Sequence, residues 1–118
     1  MSTKPDAVQQ LQALSQRDNF SEDPKTMYTG VSDPTQRAQL NRQFRLAVDA
    51  FSAAVSRGAS QDQYQKLLVS EIGKFDRDSL DTEDAEQVAN CFEKIMDGIG
   101  LDSSDGALND WMYGFDPG

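Results

Sequence analysis

The fold is decided by the stretch Asp33–Gly58, DPTQRAQLNRQFRLAVDAFSAAVSRG. Asp33 is a favoured N-cap residue, Pro34 suits the first helical turn, and Gly58 is a typical helix stop. Between these signals, apolar residues recur at intervals of three and four, which places them on one side of a helix. These apolar residues are Leu40, Phe44, Ala47, Val48, Phe51 and Val55. The stretch predicts an amphipathic helix over 34–57 that packs against the rest of the chain.

The same reasoning predicts four more helices, one before this stretch and three after it. They cover residues 5–16, 61–75, 82–99 and 104–112. Ser2 or Thr3 caps the first, with Pro5 in its first turn, and its apolar stripe is Val8, Leu11 and Leu14. Ser60 and Gln63 match a capping box. Asp81 or Thr82 caps the helix that Gly100 ends.

The overall architecture follows from these helices and from the lack of strand patterns. No segment alternates polar and apolar residues over a useful length, so no sheet is expected. The sequence predicts a single all-α domain over 1–118: a four-helix bundle with a short C-terminal helix packed over one end. Residues 1–33 form an N-terminal helix and loop, and 34–117 form the core bundle.

The predicted connection over 18–33 is long for a loop in a small domain. It is rich in Asp, Asn, Ser, Pro and Gly, which favour turns. Met27, Tyr28 and Val31 are its candidates for anchoring to the core. The length predicts a short extended piece or a helical turn inside it.

The composition excludes the commonest catalytic plans. The 118 residues contain no histidine and one cysteine, Cys91. Ser-His-Asp and Cys-His arrangements are therefore impossible, and zinc loses its usual ligands. Cys91 lies beside Phe92 on a predicted core-facing helix, which favours a buried, inert thiol. We expect a protein that is not an enzyme and that uses no cofactor.

The net charge of −9 is concentrated in the second half of the chain. Residues 1–59 carry a net +1 and residues 60–118 a net −10. Such a charge argues against binding to nucleic acid or to an anionic membrane. The N-terminus lacks the pattern of a signal peptide, no run of about 18 apolar residues occurs, and a lone cysteine fits a reducing compartment. We therefore expect a cytoplasmic protein.

Six carboxylates lie within eleven residues at the start of the helix over 82–99. They are Asp76, Asp78, Asp81, Glu83, Asp84 and Glu86, our candidates for partner binding. Part of the run is explained by capping and by the helix dipole. A calcium loop starting at Asp76 fails, because Leu80, Asp81 and Gln87 occupy positions that need other residues. A divalent site formed by Asp76, Asp78, Asp81 and Asp84 is one alternative, and an acidic mimic of DNA is another.

Two further clusters have simple structural interpretations. Trp111, Tyr113 and Phe115 are three of the ten aromatic residues, and we expect this tail to fold back over the open end of the bundle rather than form a docking patch. Four arginines lie on the helix over 34–57, where we expect solvated surface or intramolecular ion pairs. They are Arg37, Arg42, Arg45 and Arg57.

The C-terminal half resembles a known family. The motifs that carry the likeness are LDTEDAE at 80–86, IMDGIGL at 95–101, SSDGALN at 103–109, and the ending Trp111-x-Tyr113 with GFDP at 114–117. They resemble a family of small bacterial proteins catalogued as a domain of unknown function, over roughly residues 34–117. The resemblance implies a mostly helical domain and brings no catalytic residue or ligand.

Elimination leaves binding as the expected function. We predict a non-enzymatic protein whose acidic half attracts a protein partner with a basic surface. Size and charge suggest an immunity or antitoxin-like protein that covers the basic site of a toxin. The oligomeric state does not follow from the sequence.

Overall fold

Local capping signals set the helix bounds in the computed structural model, which describes residues 7–25, 28–101, 104 and 106–113. The helices are α1 (Ala7–Ser15), α2 (Pro34–Arg57), α3 (Gln61–Ile72), α4 (Thr82–Ile99) and α5 (Ala107–Tyr113), with a 3-10 turn over Arg77–Ser79. The described ranges contain no strand, only an isolated antiparallel bridge between Asp23 and Tyr28. The all-α bundle is therefore confirmed.

The predicted caps of α2 and α3 are formed by the expected residues. The Asp33 side chain accepts a hydrogen bond from the backbone N–H of Thr35 at 3.0 Å. Gly58 closes α2 in the left-handed conformation, with φ of 73°. At the start of α3, Ser60 and Gln63 exchange side-chain to backbone hydrogen bonds of 3.2 and 2.9 Å. These short-range interactions fix where α2 ends and α3 begins.

Two helix boundaries in the described ranges differ from the prediction by more than one residue. α3 ends at Ile72 rather than at residue 75, because Gly73 is its C-cap and the following turn carries Phe75 into the core. α5 begins at Ala107 rather than at residue 104, because Gly106 has a φ of +84°, which a right-handed helix cannot contain. In both cases a glycine sets the observed boundary: Gly73 ends α3, and Gly106 immediately precedes α5.

The first helix is buried on a slightly different face from the predicted one. Ala7, Leu11 and Leu14 are buried, whereas Val8 is only half-buried. The predicted capping residues Ser2 and Thr3, and Pro5, lie outside the described residues. α1 packs on α2 and α4, so it shares one hydrophobic core with the later helices.

Phe92 of α4 lies at the centre of that core. Its ring meets Phe44 of α2 edge-on at a centroid distance of 5.8 Å, and Phe75 at 5.7 Å. All three side chains are at most 2% exposed. The aromatic contacts therefore join α2, α4 and the turn after α3. α5 contacts both α3 and α4.

The connection between α1 and α2 is anchored by buried apolar residues. Phe20, Tyr28 and Val31 are each at most 7% exposed, which confirms Tyr28 and Val31 as anchors. Met27 lies outside the described residues. The expected extended piece is the Asp23–Tyr28 bridge. Gly30 is required there, because its φ is +83° and a Cβ would lie 2.7 Å from the backbone nitrogen of Glu22.

A buried polar network also holds this connection. The Asn19 side-chain amide donates to the carbonyl of Leu14 at 2.9 Å, at the end of α1. The Asn19 carbonyl accepts from Gln87 Nε2 of α4 at 2.6 Å, and its N–H donates to Asn41 Oδ1 of α2 at 3.0 Å. One asparagine thus connects three helices.

Among the residues that the structure describes, no helix is both long and apolar enough to cross a bilayer.

Candidate functional site

The acidic run over 76–86 folds as the 3-10 turn followed by the start of α4. Asp76 Oδ1 accepts a hydrogen bond from the backbone N–H of Asp78 at 3.2 Å. Asp81 is the N-cap of α4, and its Oδ1 accepts from the backbone N–H of Asp84 at 2.8 Å. Glu83 lies with Asp84 in the first turn, where the helix dipole stabilises negative charge. Helix initiation explains this part of the run, as predicted.

Two of the carboxylates contact the connection between α1 and α2. The Tyr28 hydroxyl donates to Asp84 Oδ1 at 2.7 Å, and Thr29 Oγ1 donates to Glu83 Oε2 at 3.4 Å. Burial and the bond to Asp84 raise the pKa of Tyr28. Burial also raises the pKa of Asp84, and the charges of Asp81 and Glu83 raise it further, against the lowering effect of the Tyr28 bond. Asp84 therefore attaches α4 to the connection between α1 and α2.

The single arginine of the run does not neutralise its neighbours. Arg77 Nε donates to the carbonyl of Met112 in α5 at 2.6 Å, and Nη1 donates to the carbonyl of Leu80 at 3.1 Å. None of the ion pairs found in the described part of the chain involves Arg77. Its two hydrogen bonds go to backbone carbonyls and not to a carboxylate of the run.

The alternative of a divalent site needs several carboxylates at one point. No group of three or more acidic or cysteine side chains in the described ranges is arranged to hold a metal ion. Of the four proposed ligands, Asp76 and Asp81 cap backbone N–H groups and Asp84 holds Tyr28. These three carboxylates bind three different groups, and the four proposed ligands do not meet at one point. The geometry therefore gives the divalent site no support.

A groove of about 540 Å³ lies between α4, α5 and the turn that joins them. Its apolar floor includes the buried residues Met96, Leu101 and Met112, and the half-buried Leu108. One wall carries three exposed carboxylates of α4. They are Glu86, Glu93 and Asp97. No lysine or arginine is among the described residues that line it. The groove therefore combines an apolar base with an uncompensated negative rim.

The six predicted partner-binding residues face different surroundings. Asp76 lines a second groove, of about 390 Å³, with Asp33 and Lys74. Glu83 and Asp84 contact the connection before α2, as described above. Asp78 is exposed, and of the six only Glu86 lines the groove between α4 and α5. The run is therefore not a single surface.

Sequence reasoning missed Glu93 and Asp97. The signal was present, because positions seven and four residues apart fall on the same side of a helix at about 100° per residue. Glu86, Glu93 and Asp97 have these spacings. They were overlooked because they do not form a continuous run in the sequence.

Two other predicted features take the expected structural form where they are described. Cys91 is buried, and this burial raises the pKa of its thiol to about 12, so it is a poor nucleophile. Trp111 is half-buried and donates from Nε1 to the carbonyl of Phe75 at 3.2 Å, while Met112 is buried. The side chain of Tyr113, and Phe115 entirely, lie outside the described residues.

The arginines of α2 form little more than solvated surface. Arg37 Nε lies 3.7 Å from Asp18 Oδ2, the one ion pair found for the four in the described part of the chain. Arg42, Arg45 and Arg57 are exposed. This outcome agrees with the expected mixture of solvated and intramolecular contacts.

The comparisons with known proteins found one solved structure and one family model. A crystal structure of a DUF3571 family protein from Acinetobacter baumannii AYE superposes with a TM-score of 0.86 and 38% sequence identity. The match covers 92% of this chain and 89% of that one. No curated protein matches the sequence. The sequence profile of the domain of unknown function DUF4844 matches residues 2–116. The chain therefore belongs to the DUF4844 family.

Proposed function

We propose that this protein is a non-enzymatic binding protein that recognises a basic surface of another protein. The observation that carries the proposal is a set of three exposed carboxylates on α4 that form no ion pair in the described part of the chain. Glu86, Glu93 and Asp97 are exposed on this helix, and no ion pair involves them in the described ranges. In the second half of the chain, the two ion pairs found among the described residues both involve α3 or the residues just after it. These three carboxylates therefore remain available to a cationic partner.

The chemistry of the side chains also favours binding over catalysis. The sequence has no histidine, and its one thiol is buried with a raised pKa. The carboxylates of the acidic run that are held by hydrogen bonds serve caps and a tyrosine contact. A surface rich in one sign of charge accelerates the encounter with a partner of the opposite sign.

Affinity capture from the native host tests the proposal. The whole protein, attached through one terminus, is exposed to lysate at about 50 mM and about 300 mM salt, since the screening length falls from about 14 Å to about 6 Å between them. We expect a specific partner with a basic surface, retained better at low salt. Recovery of no specific partner at either salt, or of an acidic partner insensitive to salt, would contradict the proposal.

The finer form of the proposal is an immunity or antitoxin-like protein in the bacterial cytoplasm. It rests on the small size, the charge of −9 and the single cysteine. Coexpression with the basic protein captured from the host tests it, because an immunity protein restores growth that its toxin inhibits. A captured partner that does not inhibit growth when expressed alone would exclude this form and leave the general binding function in place.

A further inference from the structure

The groove between α4 and α5 has the features of a surface for a partner helix. Its floor includes the half-buried Leu108 and the small exposed parts of Met96 and Met112, whose thioether side chains are flexible. Its volume of about 540 Å³ is enough to receive several side chains. Amphipathic helices commonly bind by placing their apolar face in such a groove.

The charges around the groove specify which kind of helix fits. All three carboxylates of the rim come from α4, and the opposite side is lined by the neutral residues Ser104 and Asn109. The rim residues are separated by seven and four positions, so the charged wall extends about 16 Å, or three helical turns. Basic residues at the same spacings lie on one side of a second helix alongside α4.

We infer that this groove binds a basic amphipathic helix of a protein partner. Its apolar face covers Met96, Leu108 and Met112, and its lysine or arginine side chains pair with Glu86, Glu93 and Asp97. This inference rests on the proposed function and deepens it by naming the surface and the class of segment recognised.

A defined peptide serves as the probe. It is about 14 residues long, roughly four helical turns, with leucines on one helical face and lysines on the other. One control peptide replaces each lysine with glutamate, and a second keeps the lysines but replaces each leucine with glutamine. Binding of each fluorescent peptide to the whole protein is followed by anisotropy, and backbone NMR shifts locate the contact.

Two protein variants with equal charge separate the groove from the general charge of the molecule. The groove variant is Glu86→Gln, Glu93→Gln and Asp97→Asn. The control variant is Glu22→Gln, Asp49→Asn and Asp62→Asn, all exposed positions outside the groove. Leu108→Gln tests the floor without changing charge. Circular dichroism confirms that each variant is folded.

The expected result is saturable one-to-one binding of the Leu-Lys peptide with shifts confined to α4 and α5. Because three partly exposed pairs are removed, the groove variant should weaken binding about tenfold, and the control variant less than threefold. Leu108→Gln should also weaken binding. Neither control peptide should bind as tightly as the Leu-Lys peptide.

Three results would overturn the inference. Equal weakening by the two triple variants would mean that binding follows net charge alone. Shifts centred outside α4 and α5 would place the contact elsewhere. Self-association of the protein that only the groove variant abolishes would mean that a second copy occupies the groove. Each result leaves the proposed function standing if the native host still yields a basic partner, so the two failures can be told apart.

Discussion

Replacing Asn19 tests whether the buried polar network holds α1 to the rest of the bundle. Asn19 is 6% exposed, and its Nδ2 donates to the carbonyls of Leu14 and Arg17 at 2.9 and 3.3 Å. Asn19→Ala removes this donor from the Leu14 carbonyl, which still accepts from the backbone N–H of Arg17 at 3.3 Å, so the loss is that of one hydrogen bond, about 0.5–1.5 kcal/mol. Adding the second bond, which is partly solvated, we expect a total loss of about 1–3 kcal/mol.

The variant Asn19→Asp makes the same test sharper because the shape of the side chain is kept. At neutral pH the new carboxylate faces two carbonyl oxygens and has no proton to donate, so we expect a larger loss than for Asn19→Ala. Burial beside these oxygens raises the folded-state pKa of the new carboxyl above its unfolded value. The Asn19→Asp variant is therefore most stable below the unfolded-state pKa of the new carboxyl, and it loses stability as pH rises through the folded-state pKa.

The assay is urea unfolding at several pH values, followed by circular dichroism and by the fluorescence of Trp111, the single tryptophan. Asn109→Ala and Asn109→Asp, on the exposed side of α5, serve as controls and should change stability by less than about 0.5 kcal/mol. The reasoning is refuted if Asn19→Ala is as stable as the wild type. It is refuted equally if Asn19→Asp and Asn19→Ala show the same dependence on pH.

Three further predictions concern the core, the tyrosine contact and the thiol. Phe92→Ala should lower the free energy of unfolding by about 3–5 kcal/mol, since it empties the centre of the core; a loss under about 1 kcal/mol in urea unfolding would contradict the packing. Because the folded pKa of Asp84 is raised from 3.8, its contribution to stability is present below that pH and lost as pH rises through the folded value. As pH rises from acidic to neutral, Asp84→Asn should therefore become more stable relative to the wild type. The opposite trend in paired urea titrations would show that the Tyr28 bond outweighs burial and the neighbouring charges in setting the pKa of Asp84. Cys91, with a pKa near 12, should react with a thiol reagent only when the protein unfolds, and rapid labelling of the native protein would show that the site is open.

The helices were predictable from the sequence because their signals are local. The caps at Asp33, Ser60 and Asp81 depend on residues two or three positions away, so a single stretch contains all the information. Periodicity likewise identified most of the buried face of α2. The predicted end of α3 was wrong, because Phe75 joins the core from the turn after the helix and not as a helical residue.

The groove and the polar network depend on contacts between distant parts of the chain. Asn19 meets Gln87 across 68 positions, and no pattern near either residue indicates that contact. The acidic run was visible in the sequence, but the tertiary fold assigns its members to different neighbours. Glu86 reaches the groove with Glu93 and Asp97 only because α5 packs beside that side of α4.

The attachment of α5 has a consequence for how the groove moves. α5 has seven residues, too few to be a stable helix alone, and it is held by Arg77 at the Met112 carbonyl and by Trp111 at the Phe75 carbonyl. Its amide hydrogens should therefore exchange through local opening, at a free energy below that of global unfolding. Each opening removes one wall of the groove. A partner bound there would slow exchange in α5 by mass action, so an apparently peripheral helix would report occupancy.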